Sequence, residues 1–424
     1  MSMNQTPRSG RLHIAIFGRS NAGKSSLINA ITKQDTAVVS PVKGTTTDPV
    51  YKAMELLPLG PVVFIDTAGL DEAGDLGELR RQKTLAVLHS TDIALMVVDA
   101  VSGVLPLDLE VARIIRDKRI PVIGILNKSD LIAEGEAGDS SRTGELVALA
   151  RRTGQELGGL KVLPVSALKG QGIPELMQAL SAALPEEEDK FRIIGDLVSP
   201  GDLVVLVVPV DQSAPKGRLI LPQQQTIRDL LESDAVAVVT KEFELRETLE
   251  SLGKQPRLVV TDSQVFLKAA ADTPRGVPLT SFSILFARQK GRLEELVRGA
   301  RAIDRLQDGD KVLIAEACTH HRQGDDIGTV KIPRWLRQAT GKQLEFVFAT
   351  GMSFPEPLED FALIVHCGGC MLSRRQMLRR MDEAREAGVP IVNYGVAIAY
   401  VQGILERAIS PFPLARMAWE EHRP

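Results

Sequence analysis

The sequence predicts an α/β fold built on parallel sheets, and two observations predict it. Short apolar runs of strand length alternate with helical stretches along most of the 424 residues. The first run, residues 12–17, leads through a glycine-rich turn into a helix that begins near Lys24. Strands that alternate with helices in this way are typical of parallel sheets that are covered on both faces.

The predicted elements form three domains. The first domain, residues 1–190, ends in a charged run, and its further strands are predicted at residues 62–65, 93–98, 122–126 and 162–165. A small α/β domain follows over residues 191–275, with strands at 203–208, 235–239 and 257–260 and helices at 223–231 and 243–252. The third domain, residues 276–424, has predicted strands at 311–315, 345–348, 362–365 and 389–392 and helices at 292–306 and 373–387.

The strand predicted at residues 203–208 is apolar on both of its faces. A domain of this size often depends on a partner for stability, because it has few residues that can cover both faces of such a strand. We therefore expect the middle domain to form a homodimer through this strand.

The composition argues against several classes of protein. Fifty-one basic and 54 acidic residues leave a formal net charge of −3, and aromatic residues make up only 4% of the chain. These values do not favour a nucleic-acid binder. The apolar runs are much shorter than the ~20 residues of a membrane-spanning helix, and the polar residues 1–11 lack a signal-peptide core. We expect a cytoplasmic protein without a membrane partner.

Residues 18–25 read Gly-Arg-Ser-Asn-Ala-Gly-Lys-Ser, which is the phosphate-binding loop pattern, and they stand between a strand and a helix as that loop requires. Glycines allow backbone N–H groups to turn towards phosphate oxygens, and the helix N-terminus adds partial positive charge. We expect Lys24 to reach the β- and γ-phosphates and Ser25 to ligate Mg²⁺.

Three further segments follow predicted strands and predict that the nucleotide is GTP. Asp66 opens an Asp-Thr-Ala-Gly segment that places its carboxylate near magnesium and the Gly69 amide near the γ-phosphate. In the Asn-Lys-Ser-Asp segment of residues 127–130, the Asp130 carboxylate can accept hydrogen bonds from N1–H and the 2-amino group of guanine, which adenine does not offer. Ser166 opens a loop that can present a backbone N–H to the guanine oxygen.

Together these motifs resemble the GTP-binding domains of the TrmE–Era-like branch of the small-GTPase superfamily, over about residues 10–185. Residues 44–48, Gly-Thr-Thr-Thr-Asp, match the first switch of that branch. The match implies that Thr46 binds magnesium and the γ-phosphate and that Lys24, Thr46 and Gly69 act in catalysis. The resemblance implies nucleotide contacts from Gly18, Asn21, Ala22, Gly23, Lys24, Ser25, Ser26, Asp66, Asn127, Lys128, Asp130, Ser166 and Ala167.

Two residues predict how fast GTP is hydrolysed. Leu70 stands where signalling GTPases carry a glutamine that orients the attacking water, so intrinsic hydrolysis should be slow. Asn21 matches the asparagine that helps potassium-activated relatives hold a monovalent cation against the phosphates. The alternative interpretation of Asn21 is a turn residue that tolerates an unusual φ. We expect K⁺ to stimulate hydrolysis.

All three cysteines lie in the last quarter of the chain, in the segments Cys318-Thr-His320 and His366-Cys-Gly-Gly-Cys370. Both segments follow predicted parallel strands, and open α/β sheets place ligands at the carboxyl ends of their strands. An odd number of cysteines argues against a disulfide framework. The residues fit a zinc site, an iron–sulfur cluster, a redox pair or buried thiols that bind no metal.

A Cys-x-His followed far downstream by His-Cys-x-x-Cys, behind a GTPase domain, resembles the HydF family of [FeFe]-hydrogenase maturation GTPases. The resemblance extends over the whole chain, including residues 214–225 and 319–322. It implies a GTPase domain, a dimerisation domain and a cluster-binding domain. It also implies a scaffold or carrier for the two-iron precursor of the hydrogenase active site, with radical-SAM maturases and apo-[FeFe]-hydrogenase as partners.

The resemblance further implies that Cys318, Cys367 and Cys370 hold a [4Fe–4S] cluster. His320 and His366 match the motif histidines and are additional candidate ligands. The fourth iron would take a histidine, an acid such as Asp325, water or an outside ligand, because the chain has no fourth cysteine.

A basic stripe is predicted on the helix after the cluster motif, formed by Arg374, Arg375, Arg379 and Arg380. Either a solvated face or a docking site for an anionic partner or precursor fits this pattern. A rival function for the whole chain is a ribosome-assembly or RNA-modification GTPase with a structural zinc site.

Overall fold

A computed structural model describes residues 11–32, 40–41, 50–57, 59–67, 84–85, 87–88, 90–132, 140–183, 192–209, 219–317, 326–351, 353–369 and 372–421. The chain divides into two compact units, residues 1–188 and 189–424. The α/β fold class predicted from the sequence is confirmed, with a GTPase-type domain first and parallel-sheet domains after it. The three predicted domain ranges remain predictions.

The first unit contains a seven-stranded sheet in the order β2-β3-β4-β1-β5-β6-β7. Its strands are β1 (Leu12–Phe17), β2 (Ser40–Pro41), β3 (Val50–Leu56), β4 (Gly60–Asp66), β5 (Ile93–Asp99), β6 (Val122–Asn127) and β7 (Val162–Pro164). Its helices are α1 (Lys24–Thr32), α2 (Pro106–Asp117), α3 (Ser140–Glu156) and α4 (Ile173–Ala182). Strand β3 runs antiparallel to both of its neighbours, an edge that the sequence analysis missed.

Strand β1 shows why this sheet is covered on both faces. Ile14 and Ile16 belong to one apolar core, whereas Ala15 and Phe17 belong to a second core on the other side. Because successive side chains of a strand point to opposite faces, a fully apolar strand needs cover from both sides. Strand β1 is therefore central, and the loop that follows it is held at a fixed edge of the sheet.

The second unit contains two four-stranded parallel sheets, in the orders β11-β10-β8-β9 and β13-β12-β14-β15. The first comprises β8 (Leu203–Val207), β9 (Val236–Thr240), β10 (Leu258–Thr261) and β11 (Leu279–Ser281). The second comprises β12 (Lys311–Glu316), β13 (Glu345–Thr350), β14 (Leu363–His366) and β15 (Ile391–Asn393). One continuous apolar core contains side chains from both sheets.

Helices cover these two sheets. They are α5 (Leu221–Glu232), α6 (Leu245–Ser251), α7 (Phe266–Asp272), α8 (Phe282–Lys290), α9 (Leu293–Ala300), α10 (Ile332–Thr340), α11 (Arg374–Glu386), α12 (Tyr394–Val401), α13 (Leu405–Ala408) and α14 (Pro413–Glu420). The single helix predicted at residues 292–306 is wrong in its second half, where a 3₁₀ turn, Arg301–Arg305, follows α9.

The physical reason given for dimerisation through residues 203–208 is also wrong. Strand β8 lies in the interior of its sheet, between β10 and β9, and its side chains are buried within its own chain. Within this sheet, the described strand with exposed apolar side chains is the edge strand β9, where Val236 and Val239 are about half exposed.

Within the ranges that the structure describes, none of the helices has the length and hydropathy that crossing a bilayer would require.

Candidate nucleotide and cluster sites

The phosphate-binding loop lies between β1 and α1 and is closed by tight backbone contacts. Gly18 has φ 144°, and a Cβ added there would lie 2.3 Å from the Val97 carbonyl oxygen. Gly23 has φ 90°, and a Cβ there would lie 2.2 Å from Nδ2 of Asn127. Neither position tolerates a side chain. The backbone conformation of the loop therefore requires both glycines of the motif.

The charged end of Lys24 lies inside this loop. The residue is only 6% exposed, and its Nζ donates hydrogen bonds to the carbonyl oxygens of Gly18 and Arg19. Buried in this way, the ammonium group is held against the same backbone turn that would surround bound phosphates.

The two side chains predicted to lie near magnesium come together although 41 residues separate them. Ser25 Oγ donates a hydrogen bond of 2.8 Å to Asp66 Oδ2. Asp66 ends β4, which pairs directly with β1, so the parallel register carries its carboxylate to the first turn of α1. Hydroxyl and carboxylate oxygens are the ligands that Mg²⁺ prefers.

Asn127 links the phosphate-binding loop to the loop predicted to contact guanine. Its Nδ2 donates to the Ala22 carbonyl at 2.8 Å, and its Oδ1 accepts from the Ala167 backbone N–H at 3.1 Å. The side chain is 2% exposed, so both bonds are shielded from water. Asn127 thus sets the spacing between the two loops.

Asp130 is held in one orientation by the neighbouring loop. Its Oδ1 accepts a hydrogen bond of 2.6 Å from Ser166 Oγ, and Ser166 Oγ in turn accepts from the Lys169 N–H. Asp130 and Ser166 are both buried. This hydrogen bond occupies one carboxylate oxygen of Asp130, and the contact with guanine predicted for this residue remains a prediction.

Lys128, in the same segment as Asp130, forms an ion pair with Asp99. Its backbone is left-handed at φ 63°, and its Nζ lies 2.7 Å from Asp99 Oδ2 at the end of β5. Burial acts to raise the pKa of Asp99, but the hydrogen bond and charge of Lys128, together with backbone hydrogen bonds from Val101 and Ser102, lower the pKa below its ordinary value. Asp99 is therefore ionised at neutral pH.

Sequence reasoning missed a second set of contacts that holds the phosphate-binding loop, made by the side chain of Arg19. Arg19 donates to Asp108 Oδ2 at 3.0 Å and to the Gly103 carbonyl at 2.9 Å. The Asp108 side chain is almost fully buried, which makes this ion pair much less exposed to screening than a surface pair. No local motif marks Asp108, since only the fold brings α2 beside the loop.

The remaining predicted nucleotide residues have mixed outcomes. Asn21 is exposed, and its φ of 64° matches the turn role weighed for it, while the K⁺ role remains a prediction. Ser26 is exposed on α1. Thr46, Gly69 and Leu70 lie outside the described residues, so their predicted roles stay predictions.

The cluster motif begins where β14 ends. His366 is the last residue of β14, and Cys367 follows it with its sulfur buried and accepting a hydrogen bond of 3.3 Å from the Ala317 N–H. N–H groups directed at cysteine sulfur stabilise thiolate ligands and tune the clusters they hold. Ala317 immediately precedes the other cysteine segment, so the sheet brings the residue before that segment into contact with Cys367.

Cys318, His320, Asp325 and Cys370 lie outside the described residues. Among the residues that are described, no three His, Cys, Asp or Glu side chains form a metal-binding group.

Both ring nitrogens of His366 are engaged. Its Nε2 lies 2.6 Å from Nη1 of Arg380, and its Nδ1 lies 2.6 Å from the Cys367 carbonyl oxygen. Because a guanidinium only donates, Nε2 accepts and the Nδ1–H donates. Burial, and secondly the Arg380 charge, lower the pKa of His366 to about 3. Ligation of a cluster through Nε2, a role still predicted for His366, would require Arg380 to move.

Lys290, which no motif marked, holds the Cys-x-x-Cys turn. This lysine ends α8, is 7% exposed, and donates to the carbonyl oxygens of Gly369 at 2.9 Å and Leu372 at 2.8 Å. These two residues flank positions 370–371 in the sequence, so one ammonium group binds the backbone on both sides of Cys370.

A further polar pair lies close to Cys367. The Tyr394 hydroxyl donates to Oε1 of Glu316 at 3.2 Å. Burial first, and then the charges of Glu316 and Cys367, raise the pKa of Tyr394 well above its ordinary value, so the phenol remains protonated. Glu316 is the last residue of β12 and stands two residues before Cys318 in the sequence.

The fold and the loop geometry define a P-loop GTPase domain joined to a second unit of two parallel sheets. Residues 13–128 match the family model described as 50S ribosome-binding GTPase, and residues 78–186 match the elongation factor Tu GTP binding domain. Residues 193–291 match the hydrogen maturase F dimerization domain, and residues 294–411 match the hydrogen maturase F tetramerization domain. The chain belongs to the hydrogen maturase F family.

Curated relatives match only part of this chain. GTPase Der of Syntrophobacter fumaroxidans is 38% identical over 41% of this chain and 36% of its own length. The tRNA modification GTPase MnmE of Moorella thermoacetica is 39% identical over 39% of this chain and 33% of its own length. The chain thus spans about a third of the length of these relatives. A crystal structure of Era from Aquifex aeolicus is 23% identical, with a TM-score of 0.33 over 57% of this chain and 98% of that chain.

Asn127→Ala should weaken GTP binding about tenfold or more. The substitution removes two buried hydrogen bonds, each worth ~0.5–1.5 kcal/mol, and a factor of ten is ~1.4 kcal/mol. Titration with a fluorescent GTP analogue measures the change. Asn29→Ala, which truncates an exposed asparagine on α1, is the matched control and should bind as the wild type does. Equal affinity in both variants would show that Asn127 does not set the loop spacing.

Proposed function

We propose that this protein is a GTPase that binds a [4Fe–4S] cluster and delivers the two-iron precursor of the active site to [FeFe]-hydrogenase. The observation that carries the proposal is the joining of two hydrogen maturase F domains to a P-loop domain with a guanine-recognition geometry. Radical-SAM maturases and apo-[FeFe]-hydrogenase are the proposed partners, and the cytoplasm is the proposed location.

In the nucleotide site, Lys24 neutralises the β- and γ-phosphates, while Ser25 and Thr46 ligate Mg²⁺. Asp66 accepts a hydrogen bond from the Ser25 hydroxyl and so would orient that hydroxyl beside the metal. Asp130 selects guanine, and Asn127 keeps the phosphate and base loops in register. Leu70 in place of a water-orienting glutamine makes hydrolysis slow, and K⁺ held by Asn21 supplies charge at the phosphates.

In the second unit, Cys318, Cys367 and Cys370 hold the cluster. The donor set fits, since three thiolates can bind three of the four irons, and Cys367 already has a sulfur that is buried and receives an N–H. When bound, the cluster supplies an iron site that lacks a cysteine ligand. The protein's own residues then exclude water, orient the thiolates and bracket the turn with Lys290.

The rival function, a ribosome-assembly or RNA-modification GTPase with structural zinc, shares the first unit with this proposal. The name of the family model over residues 13–128 and the names of the curated relatives fit it. The second unit does not, because residues 193–411 are accounted for by hydrogen maturase F domains with only two residues between them. The metal content decides between the two functions.

GTP hydrolysis should be slow, require Mg²⁺ and run faster in K⁺ than in Na⁺. Lys24→Ala should lower kcat about 100-fold or more, because removal of one preorganised charge or donor at a transition state costs that much. Asn21→Ala should make the rates in K⁺ and Na⁺ equal, while Asn29→Ala preserves the difference. Phosphate release measured in each salt tests this. Equal rates for the wild type would remove the role of Asn21 and leave the GTPase assignment standing.

Anaerobically purified protein should contain about four irons and four sulfides per chain and no zinc. Cys367→Ala should abolish the electron paramagnetic resonance signal of the reduced cluster and leave GTP hydrolysis nearly unchanged. Lys24→Ala should do the reverse, so each variant controls for the other. The wild-type signal should respond to added imidazole or cyanide, because one iron has no cysteine. One tightly bound zinc with no iron would establish the rival function.

The dimerization and tetramerization domains support self-association of the chain. The uncovered apolar edge of the first of these domains is β9, where Val236 and Val239 are about half exposed. An unpaired strand edge readily pairs with another chain. We propose that a second copy covers β9 in the dimer.

Val239→Glu should weaken self-association at least tenfold, because a carboxylate would be buried without a partner at the paired edge. Sedimentation of the full chain over a range of concentrations measures the shift to half the mass. Val101→Glu is the matched control, since Val101 is an exposed valine in the first unit. An unchanged mass for Val239→Glu, or an equal loss in both variants, would place the contact elsewhere.

A further inference from the structure

One arginine of the predicted basic stripe does not lie on a solvated face. Arg374, Arg375 and Arg379 are half-buried, but Arg380 is only 3% exposed. It stands on the side of α11 that packs against the sheet, behind His366 and Cys367. The stripe is therefore divided, and one positive charge from it is buried beside the cluster motif.

The guanidinium of Arg380 is held at three points. Nη1 donates to Nε2 of His366 at 2.6 Å, and Nη2 donates to the Gly351 carbonyl oxygen at 3.0 Å. The plane lies over the ring of Phe354, with its central carbon 4.5 Å from the ring centroid. These contacts come from β14, from the end of β13 and from the loop after it, so they fix the group tightly.

None of these three contacts supplies negative charge. Within the described ranges Arg380 forms no ion pair of 4.0 Å or less, and its buried Nε has no hydrogen-bond partner. Glu383 acts on it electrostatically from the next turn of α11. Burial of a charge without a close partner costs several kcal/mol, so a folded protein that retains Arg380 here needs a compensating anion nearby.

Cys367 directly follows His366, the histidine that Arg380 binds, and as a thiolate it would carry charge of the opposite sign. Burial lowers the pKa of the Arg380 guanidinium, and the charge of Cys367 acts in the opposite direction, favouring the charged form. Arg380 also contacts the motif through His366, whose Nδ1–H donates to the Cys367 carbonyl oxygen. The arginine therefore acts on Cys367 in two ways, through the imidazole and through space.

Lys290 brings a second cation to the same turn. Its buried Nζ bonds the carbonyl oxygens of Gly369 and Leu372 and lies 5.6 Å from the centroid of the Phe286 ring. Arg380 and Lys290 reach the motif from two different helices, α11 and α8. The described part of the motif, His366 to Gly369, thus contacts a cationic side chain from each of two helices.

We infer that Arg380 is a positioning residue of the cluster site and that, together with Lys290, it sets the reduction potential of the bound cluster. The inference rests on the proposed function, because it assumes the cluster. Reduction of [4Fe–4S]²⁺ to [4Fe–4S]⁺ adds one electron and hence one negative charge to the site. A fixed cation nearby stabilises the reduced form and raises the potential.

The test is a redox titration of the full chain carrying its cluster, with dithionite as the electron donor and the electron paramagnetic resonance of the reduced cluster as the readout. Arg380→Gln keeps a donor for His366 and removes the charge. It should lower the potential so that the ratio of reduced to oxidised cluster falls at least tenfold at a given ambient potential, which is 59 mV for one electron. Lys290→Gln should shift the potential in the same direction.

Two variants separate charge from packing. Arg380→Lys keeps the charge, loses the planar contact with Phe354 and should retain a potential close to that of the wild type. Arg416→Gln removes an arginine that is half exposed on α14 and should leave the potential unchanged. Thermal unfolding of the metal-free variants reports on packing independently of the cluster.

The outcomes are distinct. If the wild type holds no iron, the proposed function fails. A cluster that forms in Arg380→Gln and Lys290→Gln with the wild-type potential overturns the inference alone. The inference also fails if both charge-free variants lose cooperative unfolding in the metal-free state while Arg380→Lys unfolds normally, because the cations would then serve folding only. A potential that falls with loss of charge and returns in Arg380→Lys supports it.

Discussion

Parallel pairing of strands is the constraint on which both candidate sites depend. In a parallel sheet every strand ends at the same edge, so residues that are distant in sequence meet there if each directly follows a strand. Asp66 reaches Ser25 because β4 pairs with β1. Cys367 reaches the backbone of Ala317 because β14 pairs with β12. The same backbone rule thus positions residues of the candidate nucleotide site in one unit and of the candidate cluster motif in the other.

The strand ends bring the loops of each candidate site close together, and hydrogen bonds of buried polar side chains then hold those loops in position. Asn127 in the first unit and Arg380 in the second play comparable parts, since each joins two or more loops through bonds that water does not reach. A bond in a shielded position is stronger, and leaving its partner unpaired is more costly. Such residues make loop positions reproducible, which a site for a defined ligand requires.

The second unit places the proposed dimer and cluster functions within one folded body. Its two sheets share a continuous apolar core, and the Lys290 that holds the cluster turn ends α8, the helix that follows β11 of the first sheet. The boundary between the two hydrogen maturase F domain matches, between residues 291 and 294, falls directly after this lysine. Lys290 therefore belongs to the dimerization match while bonding carbonyls of the tetramerization match, so the two domains are coupled by a direct contact.

The sequence by itself determined the α/β class, the parallel strands and the motifs at their carboxyl ends, because hydrophobic periodicity and short motifs are local properties of the chain. Gly18, Lys24, Asn127 and Asp130 could be chosen on that basis. It could not show that β8 is interior and β9 is the edge, since strand order follows from packing among segments far apart. Nor could it distinguish Arg380 from its neighbours on α11, or find Lys290 and Arg19. Those assignments depend on which side of a helix is buried and on what lies opposite it, and only the tertiary structure decides that.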